Sequence, residues 1–566
     1  MSPPNIRRGR NPEACSACRE RRTKCDGQRP KCSFCQERAK ECRYPERLET
    51  PTTPLEQELS RIWDRIDRIS TAVEASVPGQ DELRMSRFPE DNRDAFDMLR
   101  GFPFMTVQDE EFMAFLGIDR TFSCHLVQVE RSRDAVPLPT SPTSGLIISH
   151  EHAFHLLNNF AEHVHAWYPV LHGHFTVEFV HAIANGFPTS PESCLALLVL
   201  AIGRLFADGA SPPQLENPYI GPAMQMLHCI VSGDGHLRAT QCLLLFSIYF
   251  ICCVEPCRAH DFVSMASYHL QDMLSIDCYW EKEQPNIIGN CYWAAVLVES
   301  EILVQLDLEN SGSWRLSPIG LMPVSCGTWV VPLDLTTAQS PSSTVLANDG
   351  NGAWDELVLA DLSYFVAEIA MRKMLRGCTL SARKGPGGGF EYAPVIAAEL
   401  ERQLEEWYSF LPRQFQFLGK ALDASSLRGR SPQAQFLSAQ YFAFRTSVYW
   451  PAVYQAFSTG KLDYALLSQC RRFFETYSAF IESAACAVYT CRPNLWTLCA
   501  SVFTLSMAAI VTSRTPCLDS LVSSALLPCF QTAVRVFENV RHLSPSLAEL
   551  GLILEGRVSW WLSFIR

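Results

Sequence analysis

Six cysteines within the first 45 residues have the type and spacing for metal chemistry: Cys15, Cys18, Cys25, Cys32, Cys35 and Cys42. They follow C-x2-C-x6-C-x6-C-x2-C-x6-C, so one half, C-x2-C-x6-C, occurs twice with an offset of 17 residues. Paired cysteines this dense mean soft-metal binding or disulfides. The start, MSPPNIRRGR, has no apolar core segment and does not read as a secretory signal. Thiols kept in a reducing compartment stay available as thiolates, and thiolates at short spacing take zinc, which is therefore expected over disulfides. Six thiolates exceed one tetrahedral ion and fall short of two closed four-cysteine sites. Two zinc ions per chain that share two bridging thiolates satisfy the count. The symmetric choice of bridges is the first cysteine of each half, Cys15 and Cys32. One ion then sees Cys15, Cys18, Cys25 and Cys32, and the other sees Cys15, Cys32, Cys35 and Cys42.

The element that positions these ligands cannot be an ordinary core. The segment from Cys15 to Cys42 is too short to fold on apolar burial alone, so the metal must supply the folding energy. Between the second and third cysteines lie Arg19, Arg21, Arg22 and Lys24. A short helix anchored by Cys15 and Cys18 projects them at one end. Guanidinium forks there read guanine O6 and N7 in a major groove, and phosphates attract the remaining charges. Lys31, Arg38, Lys40 and Arg43 read as phosphate contacts or plain surface. Arg7, Arg8 and Arg10 add a basic run suited to nuclear import.

The stretch ACSACRERRTKCDGQRPKCSFCQERAKECRYPE resembles the fungal binuclear zinc cluster transcription factors. It carries C-R-x-R-[KR]-x-K-C from Cys18 to Cys25, then Asp26-Gly27, Pro30 before Cys32, and C-x-Y at Cys42 to Tyr44. The resemblance implies that Arg21 and Arg22 read bases in a short CGG-like half-site. Many relatives have Lys where this chain has Arg22, and the two side chains read G with different geometry.

Residues 47–54 are polar and rich in Pro and Thr, a linker. Leu55, Leu59, Ile62, Ile66, Ile69 and Val73 then recur at alternating steps of four and three. That is a heptad seam over residues 55–76, with Leu55, Ile62 and Ile69 at d and Leu59, Ile66 and Val73 at a. It reads as a dimerisation helix that makes a homodimer; its alternative is an amphipathic helix docked on the body.

Residues 77–146 read as a flexible, partly acidic linker. Within it, 94–117 alternates acidic and apolar residues, the composition of an activation segment or of a helix packed on the body. Residues 136–145 are rich in Pro, Ser and Thr. From 147 to 566 apolar residues recur at helical spacing without strand–helix alternation, predicting a mostly α protein with a large all-α domain. This part resembles the family's middle homology regulatory region. The resemblance lies in AWYPVL (166–171), 242–274, CYWAAVLVESEILVQLDLENSGS (291–313), 404–417 and 437–451.

Composition agrees with a divided chain. Residues 1–45 hold 12 Lys+Arg against 5 Asp+Glu, +7, which leaves −19 for the remainder of a chain whose net charge is −12. A basic head on an acidic body suits a nucleic-acid module joined to a part that must not cling to DNA. The other 17 cysteines, including Cys252, Cys253 and Cys257, have no paired metal spacing and read as buried thiols. The uncharged stretch 493–513 is long enough to cross a membrane, but its Ser, Thr, Asn and Pro favour a buried core helix, and no membrane partner is expected. His163, His165, His172 and His174 form an H-x-H…H-x-H set interrupted by Trp167, Tyr168, Pro169 and Leu171, and read as structural or surface histidines. The loop KGPGGGF (384–390) lacks the Lys-Ser/Thr and strand of a phosphate loop.

The sequence thus points to a nuclear, double-stranded-DNA-binding regulator of RNA polymerase II transcription, and not to an enzyme. Its partners would be a second copy, transcription machinery or co-regulators, and a small-molecule effector. Family habit points to an activator of a biosynthetic or catabolic gene set, a secondary-metabolite cluster among them. The alternatives are a repressor, a metabolite-sensing regulator, and an enzyme carrying a zinc targeting module.

Overall fold

The computed structural model describes residues 17, 18, 21, 23, 25, 31–38 and 42 near the N-terminus. Further along it describes 105–134, 146–207, 217–232, 236–275, 285–316, 323, 326, 362–375, 393–418, 428–521 and 526–563. Contacts divide the chain into two units, Met1–Arg65 and Ile66–Arg566. The linker 47–54, the heptad seam 55–76, the 384–390 loop, Cys278 and Cys378 lie outside the described residues.

The described residues are helical, with no strand among them, as the periodicity predicts. In the first unit a short helix, α1, covers Ser33–Glu37. In the second unit come α2 (Glu110–Phe115), α3 (Phe122–Arg131), α4 (His150–Phe160), α5 (Phe175–Ala184) and α6 (Pro191–Arg204). They are followed by α7 (Ile220–Gln225), α8 (Leu227–Ser232), α9 (His236–Cys252), α10 (Pro256–Ser275) and α11 (Pro285–Leu303). Residues 362–375 form α12. Then come α13 (Pro394–Phe410), α14 (Pro432–Thr459), α15 (Tyr464–Ala487), α16 (Leu495–Thr512), α17 (Leu526–Val540) and α18 (Pro545–Ser563).

Local chemistry sets these boundaries. Ser190, Ser431 and Asp463 cap α6, α14 and α15 by accepting from the backbone N–H groups of Ser193, Ala434 and Leu466. Gly460, with φ +63°, ends α14 in the left-handed conformation that a side chain resists. The resulting tight turn lays α15 back along α14, the most extensive helix pair of the body. The helix α14 runs through Pro451, although the sequence similarity in this region ends at that proline. A proline removes one hydrogen bond, and the burial of Trp450, Ala452 and Val453 around it offsets that loss.

Two helices are apolar on every side. Every residue of α6 from Ser193 to Gly203 is buried, which requires neighbours all round: α4, α5, α7 and α9. The helix α16 is, among the described residues, the one long and apolar enough to cross a membrane, and 89% of that stretch is buried inside the protein. The expected core helix at 493–513 is therefore present.

The expected loose segment 77–146 differs from the structure in its described part. Residues 105–134 pack on the body. Phe112, Met113 and Leu116 are buried, each contributing about 2 kcal/mol of apolar stabilisation. Phe112 and Phe115 meet the Trp450 ring edge-on, with centroids 5.6 and 5.3 Å away. On α3, the buried Glu130 carboxylate accepts from Ser546 N (3.2 Å) and from the Ser544 and Ser546 hydroxyls at the start of α18, and pairs with Arg133 at 3.1 Å. Acidic–apolar alternation can be either a solvated or a packed pattern, and contacts 300 or more residues away decide which.

Candidate metal centre and nucleic-acid interface

The described residues of the head assemble around sulfur. Ala17 and Cys18 begin a helical turn, in which Arg21 N donates to Ala17 O at 3.4 Å and Thr23 N to Cys18 O at 3.0 Å. Cys32 stands at the N-terminus of α1, whose first turn closes by Gln36 N donating to Cys32 O at 3.0 Å. These two turns carry Cys18, Cys32 and Cys35 to one point. The Sγ atoms of Cys18 and Cys32 are 3.7 Å apart, and those of Cys18 and Cys35 are 4.0 Å apart. All three sulfurs lie within 4.8 Å of one another and the residues are buried. Cys25 is also buried, and Cys42 packs at the edge, its Sγ accepting from Cys32 N at 3.3 Å.

This cluster is the whole core of the head's described part. Apart from sulfur it holds Ala17 and a half-buried Phe34. Zinc–sulfur bonds of about 2.3 Å in a tetrahedron give sulfur–sulfur edges of about 3.8 Å, so the observed separations suit thiolates gathered on zinc. The backbone N–H pointed at Cys42 Sγ adds the outer-shell support that metal thiolates receive. Cys15 lies outside the described residues, as do Arg19, Arg22, Lys24, Lys40 and Arg43. Arg21 and Lys31 are exposed, as nucleic-acid contacts must be. Arg38 is exposed too and lies over the Phe34 ring at 4.7 Å, a cation–π contact that screens the one aromatic of the core.

The body's thiols are of another kind. Cys252, Cys253 and Cys257 are buried, and burial pushes each thiol up to about 12. They stay protonated, and no second group of metal-ligating geometry occurs among the described residues. Cys124 and Cys229 are exposed, so the expectation of uniform burial does not extend to them.

The four histidines do not converge. His163 stacks on Phe206 at 4.8 Å, and His172 lies near Arg238. His165 is buried in a π-helical turn, Ala161–His165, and hydrogen-bonds Leu171 O at 2.9 Å. This last contact explains the AWYPVL stretch. Residues 169–171 are non-helical and buried, so their carbonyls need partners. Asn290 Nδ2 donates to Pro169 O (2.9 Å), Gln241 Nε2 to Val170 O (2.7 Å), and His165 to Leu171 O. Trp167 fills the space between Tyr364 and Phe436. In 291–313, the buried Glu299 carboxylate accepts from Ser311 N and Ser311 Oγ, both at 2.6 Å. It holds the turn at Gly312, whose φ is +81°.

One polar cluster of the body was not singled out from sequence. Glu301 on α11 pairs with Arg372 on α12, whose Nε donates to Glu368 at 3.1 Å, and Gln440 on α14 donates to the same Glu368 oxygen at 2.8 Å. The available signal is the pair of carboxylates, Glu299 and Glu301, on the apolar stretch AAVLVESEIL, each of which must find a buried partner. Which group supplies it is a matter of tertiary packing.

The family described as "Fungal Zn(2)-Cys(6) binuclear cluster domain" matches residues 13–51, and that domain takes two zinc ions per chain. The whole chain is 33% identical over 557 residues to "Putative transcription factor ecdB" of Aspergillus rugulosus, covering 96% of each protein. It is also 36% identical over 84 residues to "Transcription factor FBD3" of Gibberella moniliformis (strain M3125 / FGSC 7600), which is 13% of this chain and 11% of that one.

Proposed function

This chain belongs to the fungal Zn(2)-Cys(6) binuclear cluster transcription factors, and from that premise we propose a nuclear homodimer that reads paired CGG-like half-sites and activates RNA polymerase II genes of one pathway, a secondary-metabolite cluster among the candidates. The observation that carries the DNA-binding part is the buried trio Cys18, Cys32 and Cys35, close to the exposed Arg21 in chain and flanked by the exposed Lys31. Cys15 and Cys32 would be the bridging thiolates, completed by Cys18 and Cys25 on one ion and Cys35 and Cys42 on the other. Held zinc replaces the missing apolar core; the protein's own part is to aim Arg21 and Arg22 at guanines and to place Arg19, Lys24, Lys31 and Arg43 on phosphates. The seam at Leu55, Leu59, Ile62, Ile66, Ile69 and Val73 would pair two heads.

The helical body would serve as the family's middle homology regulatory domain, acting on co-regulators and not on a substrate. Supporting this, the body's cavity near Glu301 has no histidine or cysteine in its wall, and its charged groups are tied to one another. That cavity also favours a second reading, a regulator sensing a small molecule.

A genome-wide map of bound sites, set against the purified chain on the recovered motif, tests the proposal. Arg22→Ala should weaken specific binding by roughly 1–3 kcal/mol and flatten discrimination at one G·C pair. Arg43→Ala should weaken all sequences alike and reduce the salt slope by about one. Equal, sequence-independent losses from both would remove Arg22 from base reading.

A further inference from the structure

We propose that one position sets the two halves of the cysteine pattern to different tasks. In the second half Phe34 holds the Arg38 guanidinium on its ring, and the two side chains shield the metal centre. In the first half Ala17 leaves the equivalent Arg21 free to meet DNA. This rests on the reading of the head as a DNA-binding module and names the residue that decides which half of it reads.

The offset of 17 residues that carries Cys18 onto Cys35 also carries Ala17 onto Phe34 and Arg21 onto Arg38. In each half the arginine stands four positions after its counterpart, about one helical turn, so the two side chains share a face. The turns are built alike. Arg21 N donates to Ala17 O at 3.4 Å, and α1 carries Phe34 in its first turn and ends on Arg38. Ala17 and Phe34 are both partly buried against the cluster of Cys18, Cys25, Cys32 and Cys35. Both arginines are exposed. The difference lies in what the flanking residue offers. The Ala17 methyl gives a guanidinium no surface to rest on. The Phe34 ring does, and Arg38 Cζ lies over it, 4.7 Å from the ring centroid.

A cation over an exposed aromatic ring favours that arrangement about two- to fivefold. Charge adds to it. Six thiolates, −6, against two divalent zinc ions, +4, leave −2 on the cluster, which attracts a guanidinium held close by. Ring and guanidinium cover the cluster on the α1 side, and such a shell limits the access of water and competing ligands to the sulfurs. A phosphate would have to strip Arg38 from this place, whereas Arg21 meets DNA without that cost. The duplicated pattern thus keeps the arginine in both halves and separates its uses by exchanging a methyl group for a ring.

The test uses the zinc-loaded full-length chain and two readouts, the rate of zinc transfer to a colorimetric chelator and the salt dependence of binding to a CGG-containing duplex. Arg38→Gln and Phe34→Leu should each speed zinc transfer about two- to fivefold, and the double variant no more than either alone. Phe34→Tyr, which keeps a ring, should keep the slow rate. Arg38→Gln should leave the salt slope unchanged. Ala17→Phe should capture Arg21 and weaken specific binding about two- to fivefold at a full zinc load; in an Arg21→Gln background it should cost nothing further, and Ala17→Leu, which brings bulk without a ring, should cost nothing in either. A salt slope reduced by about one in Arg38→Gln would make Arg38 a phosphate contact and overturn the proposal. So would additive effects of Phe34→Leu and Arg38→Gln on zinc transfer, or equal losses from Ala17→Phe and Ala17→Leu. If Ala17→Phe fails to hold zinc, the Arg38 and Phe34 variants decide. Additive effects with intact duplex binding sink this division of tasks alone, whereas coupled zinc transfer in a chain that binds no duplex leaves the shield standing and sinks the DNA-binding reading.

Discussion

Cys18 Sγ lies 3.7 Å from Cys32 Sγ, although 14 positions separate the two residues. One belongs to each half of the duplicated C-x2-C-x6-C pattern, so the halves meet through their sulfurs. Cys35 joins them, all three sulfurs lying within 4.8 Å of one another.

The proposed bridging by Cys15 and Cys32 sets the order in which metal should be lost. Cys32→Ser should release both zinc ions from the head, and Cys18→Ser should release mainly one, since only the former would be shared. Metal per chain by elemental analysis, with chelator-induced unfolding of residues 1–50 followed by circular dichroism, gives the answer. A full two-ion load in Cys32→Ser would end the bridging scheme.

Pairing of the heads should depend on the seam. Ile62→Lys combined with Ile66→Lys puts charge at adjacent d and a positions, where a coiled coil must be dry. Affinity for a paired site should fall steeply, while zinc content and single half-site affinity survive. The 12 residues 43–54 span at most roughly 40 Å, so half-sites more than about twenty base pairs apart should be out of reach. Mass in solution and affinity on paired against single half-sites decide the matter; no change in either would mean that the helix docks within its own chain.

Close helix packing makes one glycine irreplaceable and another expendable. A Cβ on Gly203 in α6 would stand 2.0 Å from the Leu156 carbonyl oxygen of α4, and backbone cannot step aside. Gly203→Ala should cost about 1–3 kcal/mol. A Cβ on the exposed Gly556 in α18 meets nothing within 4 Å, so Gly556→Ala should gain up to about 1 kcal/mol from helix propensity. Urea midpoints of the two variants should move in opposite directions; a neutral Gly203→Ala would show that α4 and α6 can separate freely.

The body should lose stability in mild acid through His165. Burial depresses this imidazole from 6.5 to about 4, so the folded state holds it neutral. A depressed folded value means the stability is present above pH 6.5 and is lost as pH falls toward about 4. The full effect is on the order of 3 kcal/mol. Glu368 acts in the opposite sense. Burial raises it to about 7, so its contribution is present below its ordinary value and lost as pH rises through about 7. Comparing wild type with His165→Gln, which keeps a donor for Leu171 O, cancels Glu368. The stability difference between the two should stay level above pH 6.5 and shrink from there to pH 4.5, and parallel curves would exclude His165.

Much of the site was legible in the sequence because its chemistry is local. Cysteine count and spacing specify zinc without reference to anything beyond residue 45, and the basic run sits inside the same frame. Helix periodicity over 147–566 likewise depends on near neighbours, so the all-α body was readable, as was the burial of 493–513. What the sequence left open are questions of partners distant in the chain. Phe112 and Phe115 are packed because Trp450 faces them. His165 is a prop because Leu171 O needs a donor beside Asn290 and Gln241. The Glu301–Arg372 pair exists because α11 and α12 bring a carboxylate and a guanidinium out of water together. Ligand type follows from atoms a few positions apart, and the sequence determined it; the fate of each buried polar group follows from which helices touch, and only the tertiary structure decided that.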